Sequence, residues 1–236
     1  MSSFNSDFLQ MKESLRTEVE HFGRLLVDLN KFETVVDEQV DEKVALQLLA
    51  AQCQDFACGF QSLGETVCYS SRVILLRGLT EAVLRLVWIA NEGMPAYESL
   101  LLKDLCDRHE RYEEARKQFP ELELPKGGTI SMSPEYRMVM SLTDKGVKKK
   151  GVSSLFKSAG EPQAYVQYKD WSSIAHSELL ALRMRLIDSS DSKKLLLHSH
   201  QVTCEELQEM YELTRHLLFK ARECLERRLL NGISND

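Results

Sequence analysis

The segment from residue 71 to residue 90, SRVILLRGLTEAVLRLVWIA, decides the fold of this chain. Its apolar residues cover nearly the whole circumference of a helix, which is typical of a helix buried on most sides at the centre of a bundle. Gly78 leaves room for a neighbouring helix to approach closely. Three charged residues, Arg77, Glu81 and Arg85, recur at every fourth position and therefore share one face. These charges make the segment a poor membrane-spanning helix.

The charged row on this helix has two interpretations. In the first, it is the one face open to water and carries ordinary pairs four residues apart, each worth a few tenths of a kcal/mol. In the second, it points inward, where unpaired charges would cost several kcal/mol and must meet partners elsewhere in the fold. Charged residues are rarely buried unless they are paired, but the apolar surface on both flanks of the row favours the inward orientation. We expect the row to face a polar pocket.

The rest of the chain predicts one all-α domain over residues 1–236, a bundle of about six to eight helices. A length of 236 residues and a hydrophobic content of 43% suffice for a substantial core. Apolar residues spaced three and four apart predict peripheral long helices over residues 5–31 and 203–231, with others over 38–63, from Thr66 to near Gly93, 96–118, 134–144 and 162–180.

Two segments interrupt this helical pattern. Residues 119–160 are rich in Pro, Gly, Ser and Lys, and apart from the helix at 134–144 we predict an irregular excursion from the bundle. Residues 182–186 alternate between apolar and arginine side chains as a strand does, but no partner strand is evident in the sequence. We therefore predict the end of a helix followed by an irregular link.

The overall charge limits the classes of partner. A formal net charge of −6 argues against a protein whose whole surface binds nucleic acid or an anionic membrane, although a local basic patch stays open. The candidate patch is DKGVKKKG, which groups Lys145, Lys148, Lys149 and Lys150. These lysines are candidates for contacting nucleic-acid phosphates; the alternative is a solvated turn.

The cysteines and the N-terminus predict a cytoplasmic protein that does not enter a membrane. The six cysteines include no C-x-x-C pair, and most lie in apolar helical stretches, so we expect reduced, packed thiols. The first residues mix charged and apolar side chains and lack the apolar core of a signal peptide.

A second polar stripe follows about a hundred residues after the first, in YKDWSSIAH. Tyr168, Ser172 and His176 are spaced four apart and therefore share one helix face. A histidine exchanges protons near neutral pH, and its state would depend on a neighbour such as Glu81. The alternative is a half-wet helix with a structural histidine. If the two stripes meet, they form a hydrogen-bonding site.

The two motifs together resemble a bacterial all-helical family that is catalogued as a domain of unknown function. The resemblance rests on R-x-x-x-E, Arg77 and Glu81, followed by Y-x-x-x-S-x-x-x-H, Tyr168 to His176. It covers about residues 40–190 and leaves the first and last helices as additions. It implies a shared polar constellation but no particular reaction.

The second motif also resembles, more distantly, the R-x4-6-H motif of HEPN domains. These are helical ribonucleases and nucleotide-binding modules of bacterial toxin and phage-defence systems, and many of them dimerise. His176 matches their histidine, but the positions for the arginine hold Lys169, Asp170 and Trp171. Lys169 has the right spacing and charge but lacks the planar fork of arginine. An active site of this kind would therefore need Arg77 from the central helix.

The HEPN resemblance implies a metal-independent ribonuclease with the following roles. His176 would be the acid and base, Arg77 would stabilise the charge of the transition state, and Glu81 would orient its neighbours. Tyr168 and Ser172 would position the substrate through hydrogen bonds.

Other kinds of site are poorly supported. The sequence has no phosphate-binding G-x-x-x-x-G-K-[ST], no dinucleotide fingerprint and no nucleophile elbow. Its one E-x-x-H, Glu18 with His21, is expected on the polar side of the first helix without a third ligand, and His198 with His200 form only an H-x-H. We expect neither a cofactor nor a metal site.

Two function classes remain. The first is an effector of a phage-defence or toxin system that acts on RNA or a nucleotide. The second is a non-enzymatic adaptor or sensor that binds a partner protein or a second copy of itself. A homodimer formed through the long first and last helices would fit both.

Overall fold

The computed structural model describes residues 2–30, 42–63, 69–120, 134–175, 186–188, 195–197 and 204–233. The helices in these ranges are α1 Ser2–Asn30, α2 Glu42–Ser62, α3 Tyr69–Glu92, α4 Met94–Gln118, α5 Pro134–Asp144, α6 Val152–Ser158, α7 Ala164–Ala175 and α8 Cys204–Ile233. The prediction of an all-α bundle is confirmed, with eight helices in the described ranges. Within those ranges no helix combines the length and the hydrophobicity needed to cross a membrane.

Helix α3 is the central element of the bundle. It packs against α2, α4, α6, α7 and α8, and its buried residues cover every side of the helix except the one that carries Arg77, Glu81 and Arg85. Leu76, Leu79 and Leu86 are essentially inaccessible to solvent. The apolar circumference of the segment at 71–90 is the cause, because a helix that is hydrophobic all round is stable only where other helices surround it.

Helices α1 and α8 each bury one full face in the same core and pack against each other. Arg222 of α8 joins them, because it donates from Nε to Oε1 of Glu18 at 2.7 Å and from Nη2 to Oε2 at 3.4 Å. Glu18 is therefore buried, and the prediction that it lies on the polar side of the first helix is wrong. The paired arginine is what allows a carboxylate to be buried there, whereas His21 is exposed.

The excursion predicted for residues 119–160 is more ordered than expected where the structure describes it. The helix expected at 134–144 is confirmed as α5. Residues 145 and 146 form a turn after α5, and residues 147–151 follow without regular secondary structure. The Ser99 hydroxyl of α4 donates to the carbonyl of Lys148 at 2.6 Å. Helix α6 follows and buries Leu155 and Phe156 in the core. The prediction of irregular structure is wrong at α6, because its two apolar side chains pack on the bundle.

The irregular link predicted after the seventh helix contains a small hairpin. Strand β1, Leu186–Asp188, pairs antiparallel with β2, Leu195–Leu197, so that Leu186 lies opposite Leu197. Strand β1 begins at Leu186, where the alternation in the sequence ends, and residues 182–185 lie outside the described residues. The prediction of an irregular link is wrong for the residues of the two strands. The partner escaped notice because three consecutive leucines show no alternation.

Candidate functional site

The two polar stripes meet where α7 packs on α3. The Tyr168 hydroxyl donates a hydrogen bond to Oε2 of Glu81 at 3.0 Å, between residues 87 positions apart. The guanidinium carbon of Arg77 lies 5.7 Å from the centroid of the Tyr168 ring, within the range of a cation–π contact. Phe156 of α6 supports the other part of the same ring at a centroid distance of 5.3 Å. Tyr168 is thus held from two sides.

The contact continues across α3 to α4. Arg85 donates from Nη2 to Oε1 of Glu81 at 2.7 Å and from Nη1 to Oδ2 of Asp104 at 2.9 Å. A chain of three hydrogen bonds therefore runs from Asp104 through Arg85 and Glu81 to Tyr168 and links three helices. We call these four residues, together with Arg77, the polar seam.

The seam is half-buried, so the charged row is neither fully open to water nor fully buried. The side chains of Arg85 and Glu81 are 22% and 26% exposed, and Tyr168 is 5% exposed. Charges at this depth are partly desolvated, so they need partners, but water still screens them in part. Glu81 satisfies both of its oxygens within the protein.

Burial and the neighbouring charges decide the protonation states in the seam. Burial and the negative charge of Glu81 raise the pKa of Tyr168, and the Arg77 guanidinium only partly opposes this. The phenol is therefore protonated at neutral pH and acts as a donor. Burial alone would lower the pKa of Arg85, but Asp104 and Glu81 outweigh it and raise that pKa.

Within the described ranges, Arg77 is the charged residue of the seam that has no ion-pair partner. Its Nε is buried and has no hydrogen-bond partner, and both oxygens of its neighbour Glu81 accept from other residues, Arg85 and Tyr168. Within the described ranges Arg77 forms no ion pair; its charge is stabilised by the face of an aromatic ring instead. A half-buried arginine without a carboxylate is a ready partner for an anion.

The other residues predicted on the second stripe are only partly described. Ser172 is half-buried one turn after Tyr168. His176 immediately follows Ala175, the last residue of α7, and lies outside the described residues. Of the positions that match the HEPN arginine, Lys169 and Asp170 are exposed and Trp171 is buried in the core.

The lysines predicted to contact nucleic acid are largely paired within the protein. Lys145 contacts Glu98 at 3.2 Å, Lys149 contacts Glu110 at 3.3 Å, and Lys150 contacts Glu92 at 3.8 Å. Lys150 also lies 4.5 Å from the centroid of the Trp88 ring. Lys148 is exposed. Acidic side chains of α3 and α4 thus neutralise much of this basic segment.

The cavity that the structure has near the contact of α3 and α7 is not the polar pocket that was expected to face the charged row. A cavity of about 60 Å³ lies between α3, α6, α7 and α8. Val83, Leu84, Trp171 and Leu217 form much of its wall, which is mostly apolar, and the residues of the seam do not line it. Arg77, Glu81 and Tyr168 contact one another directly instead.

Sequence reasoning missed two charged residues of this region. Asp104 is one of several acids on α4, and nothing in the sequence distinguishes it from the others. Arg72 is fully buried, with its guanidinium 5.4 Å from the centroid of the Phe60 ring and a hydrogen bond to the carbonyl of Leu63 at 3.4 Å. It lies off the row of three charges, so the spacing of four did not include it.

Among the described side chains, no three His, Cys, Asp or Glu residues converge as a metal site would require. Comparison of the chain with known protein families, with curated proteins and with solved structures gives no significant match. The two resemblances therefore rest on the motifs quoted above.

Proposed function

We propose that this chain is a HEPN-like cytoplasmic effector that acts on RNA or a nucleotide, as part of a bacterial phage-defence or toxin system. The observation that carries the proposal is the state of Arg77. Its half-buried guanidinium rests on the Tyr168 ring and has no carboxylate partner in the described part of the chain. Two oxygens of a phosphate group can accept the paired, parallel hydrogen bonds that a guanidinium donates.

The proposed reaction is metal-independent cleavage of RNA. His176 would remove the proton of a ribose 2′-hydroxyl, whose oxygen attacks the adjacent phosphorus and expels the 5′ oxygen, which takes up a proton. Arg77 would stabilise the charge that develops on the phosphate oxygens. Ser172 lies one turn from Tyr168 on α7 and would add a hydrogen bond to the substrate.

The test is binding and cleavage of a short fluorescein-labelled single-stranded RNA by the full chain in the presence of EDTA. We expect Arg77→Ala to weaken binding about tenfold, as expected for the loss of one charge-assisted contact. His176→Ala should abolish cleavage and leave binding in place. Arg24→Ala, at an exposed arginine of α1, is the matched control for the loss of one positive charge.

Two outcomes would contradict this proposal. Equal binding by Arg77→Ala and Arg24→Ala would show that Arg77 holds no phosphate. Undiminished cleavage by His176→Ala, with EDTA still present, would remove the histidine from the reaction.

A non-enzymatic adaptor or sensor is the second candidate, and one observation favours it. Both oxygens of Glu81 and both arms of Arg85 have partners within the bundle, which is how a purely structural network would be built. Such a protein would bind a partner protein or a second copy of itself. Light scattering after size-exclusion chromatography tests self-association, and it supports this candidate if a homodimer forms while RNA binding is absent.

A further inference from the structure

We infer that Arg85 is a positioning residue that keeps Arg77 available to an anionic ligand by occupying Glu81. This inference rests on the proposed function, because it assigns a role to Arg85 in phosphate binding by Arg77. Arg85 itself need not contact the ligand.

The geometry of helix α3 places Glu81 between two competing arginines. Arg77 precedes Glu81 by four residues and Arg85 follows it by four, so both can reach the carboxylate on the same face. A glutamate that precedes its cationic partner by four residues forms the better pair, which favours Arg85. Arg85 is the residue that holds Oε1, at 2.7 Å.

Contacts from two other helices, α4 and α7, keep Glu81 paired with Arg85. Asp104 of α4 holds the second arm of Arg85 at 2.9 Å, so the arginine is restrained from both sides. Tyr168 of α7 occupies Oε2 of Glu81 at 3.0 Å. These contacts hold the Glu81 carboxylate toward Arg85 and Tyr168, while the Arg77 guanidinium lies on the Tyr168 ring.

Removing Arg85 should therefore allow Glu81 to form an ion pair with Arg77 instead. In Arg85→Met, Oε1 loses its partner while remaining half-buried, and a partly desolvated carboxylate gains most from the nearest free cation. Among the described residues Arg77, four positions before Glu81 on the same face and without an ion pair, is that cation. Its capture by Glu81 would place a negative charge beside the bound phosphate and weaken the binding of the anion.

The experiment measures the affinity for the same labelled single-stranded RNA in four proteins. We expect Arg85→Met to weaken binding about tenfold, comparable to Arg77→Ala. The double variant Arg85→Met with Glu81→Gln should return to within about twofold of the parent affinity. The glutamine keeps a carbonyl acceptor for the Tyr168 hydroxyl but has no charge, so it cannot form an ion pair with Arg77. The double variant also has the parent net charge.

A result in which Glu81→Gln fails to rescue Arg85→Met would overturn the inference, since Arg85 would then be acting directly on the ligand. If Arg77→Ala leaves RNA binding unchanged, the proposed function fails instead. A ligand-free double-mutant cycle between positions 77 and 81 tests the inference even then. The thermal stabilities should show no coupling of Arg77 with Glu81 when Arg85 is present, and a clear coupling in the Arg85→Met background. Equal coupling in both backgrounds would refute it.

Discussion

Two glycines at the contact between α2 and α3 should respond to alanine in opposite ways. A Cβ atom at Gly78 would lie 2.5 Å from Cε1 and Cζ of the Phe56 ring, far inside the distance at which carbon atoms repel. A Cβ atom at Gly59 would lie 3.5 Å from Cδ2 of Leu75, which is an ordinary van der Waals contact. Both glycines are helical, so they form a matched pair.

The magnitudes follow from two opposing terms. In either helix, alanine gains up to about 1 kcal/mol over glycine from its helix propensity. At position 78 the aromatic ring must also move by about 1 Å to restore the spacing found at Gly59, and overpacking of this kind costs about 1–3 kcal/mol. The propensity terms cancel in the difference, so Gly78→Ala should be less stable than Gly59→Ala by about 1–3 kcal/mol.

Urea unfolding followed by far-UV circular dichroism measures this difference. The variant Phe56→Leu with Gly78→Ala removes the ring atoms that clash, and its stability relative to Phe56→Leu alone should rise by the propensity term. If Gly78→Ala proves as stable as Gly59→Ala, the close approach of the two helices at Phe56 is wrong.

Three further predictions concern buried polar groups. Glu18→Gln should lower the free energy of unfolding by about 1–3 kcal/mol, because the partly buried Arg222 loses its buried charged acceptor and keeps only the contact to Glu226 at 3.3 Å. Glu20→Gln, in an exposed pair, should cost under about 0.5 kcal/mol, and similar losses would contradict the burial of Glu18. Burial and the neighbouring carboxylate raise the pKa of Tyr168 in the folded protein. The stability that this raised pKa contributes is fully present below about pH 10, the pKa of an unfolded tyrosine, and it is lost as the pH rises through the folded pKa. Tyr168→Phe should therefore reduce the loss of stability at alkaline pH, and an unchanged stability profile would refute this role of Tyr168. Iodoacetamide should label the exposed Cys58 in the folded protein. Cys53 is buried, and burial raises its pKa, so it should react only on unfolding, as peptide mass spectrometry can check.

The central position of α3 could be predicted because it depends on a local property. An apolar surface around the whole helix can be stable only at the centre of a bundle, whatever the neighbours are. The face that carries Arg77, Glu81 and Arg85 also follows from the 3.6-residue period alone. How deeply that face is buried cannot be predicted from the helical period, because its burial depends on how far α7 and α4 cover the charged row.

The elements that sequence reasoning missed share a physical cause. Helix α6 has only seven residues, too few for a helix to be stable on its own. The hairpin strands have three residues each, so neither displays a full alternating period. Helix α6 is ordered by packing on α3, far away in the sequence, and a short window of sequence does not contain that contact. Each strand is ordered by pairing with the other, and neither segment shows this by itself.

The pairing of charges in the seam explains why Arg77, and not Arg85, is the candidate residue for binding an anion. Local helix geometry already favours the pair from Glu81 to Arg85, but a carboxylate from α7 would still neutralise Arg77. The sequence of α7 contains a single acidic residue, Asp170, and its side chain is exposed. Tyr168 instead presents a ring face to Arg77 and its hydroxyl to Glu81. A tyrosine satisfies a carboxylate without adding a negative charge, so within the described ranges Arg77 keeps a positive charge without a carboxylate partner, as the proposed binding of a phosphate requires.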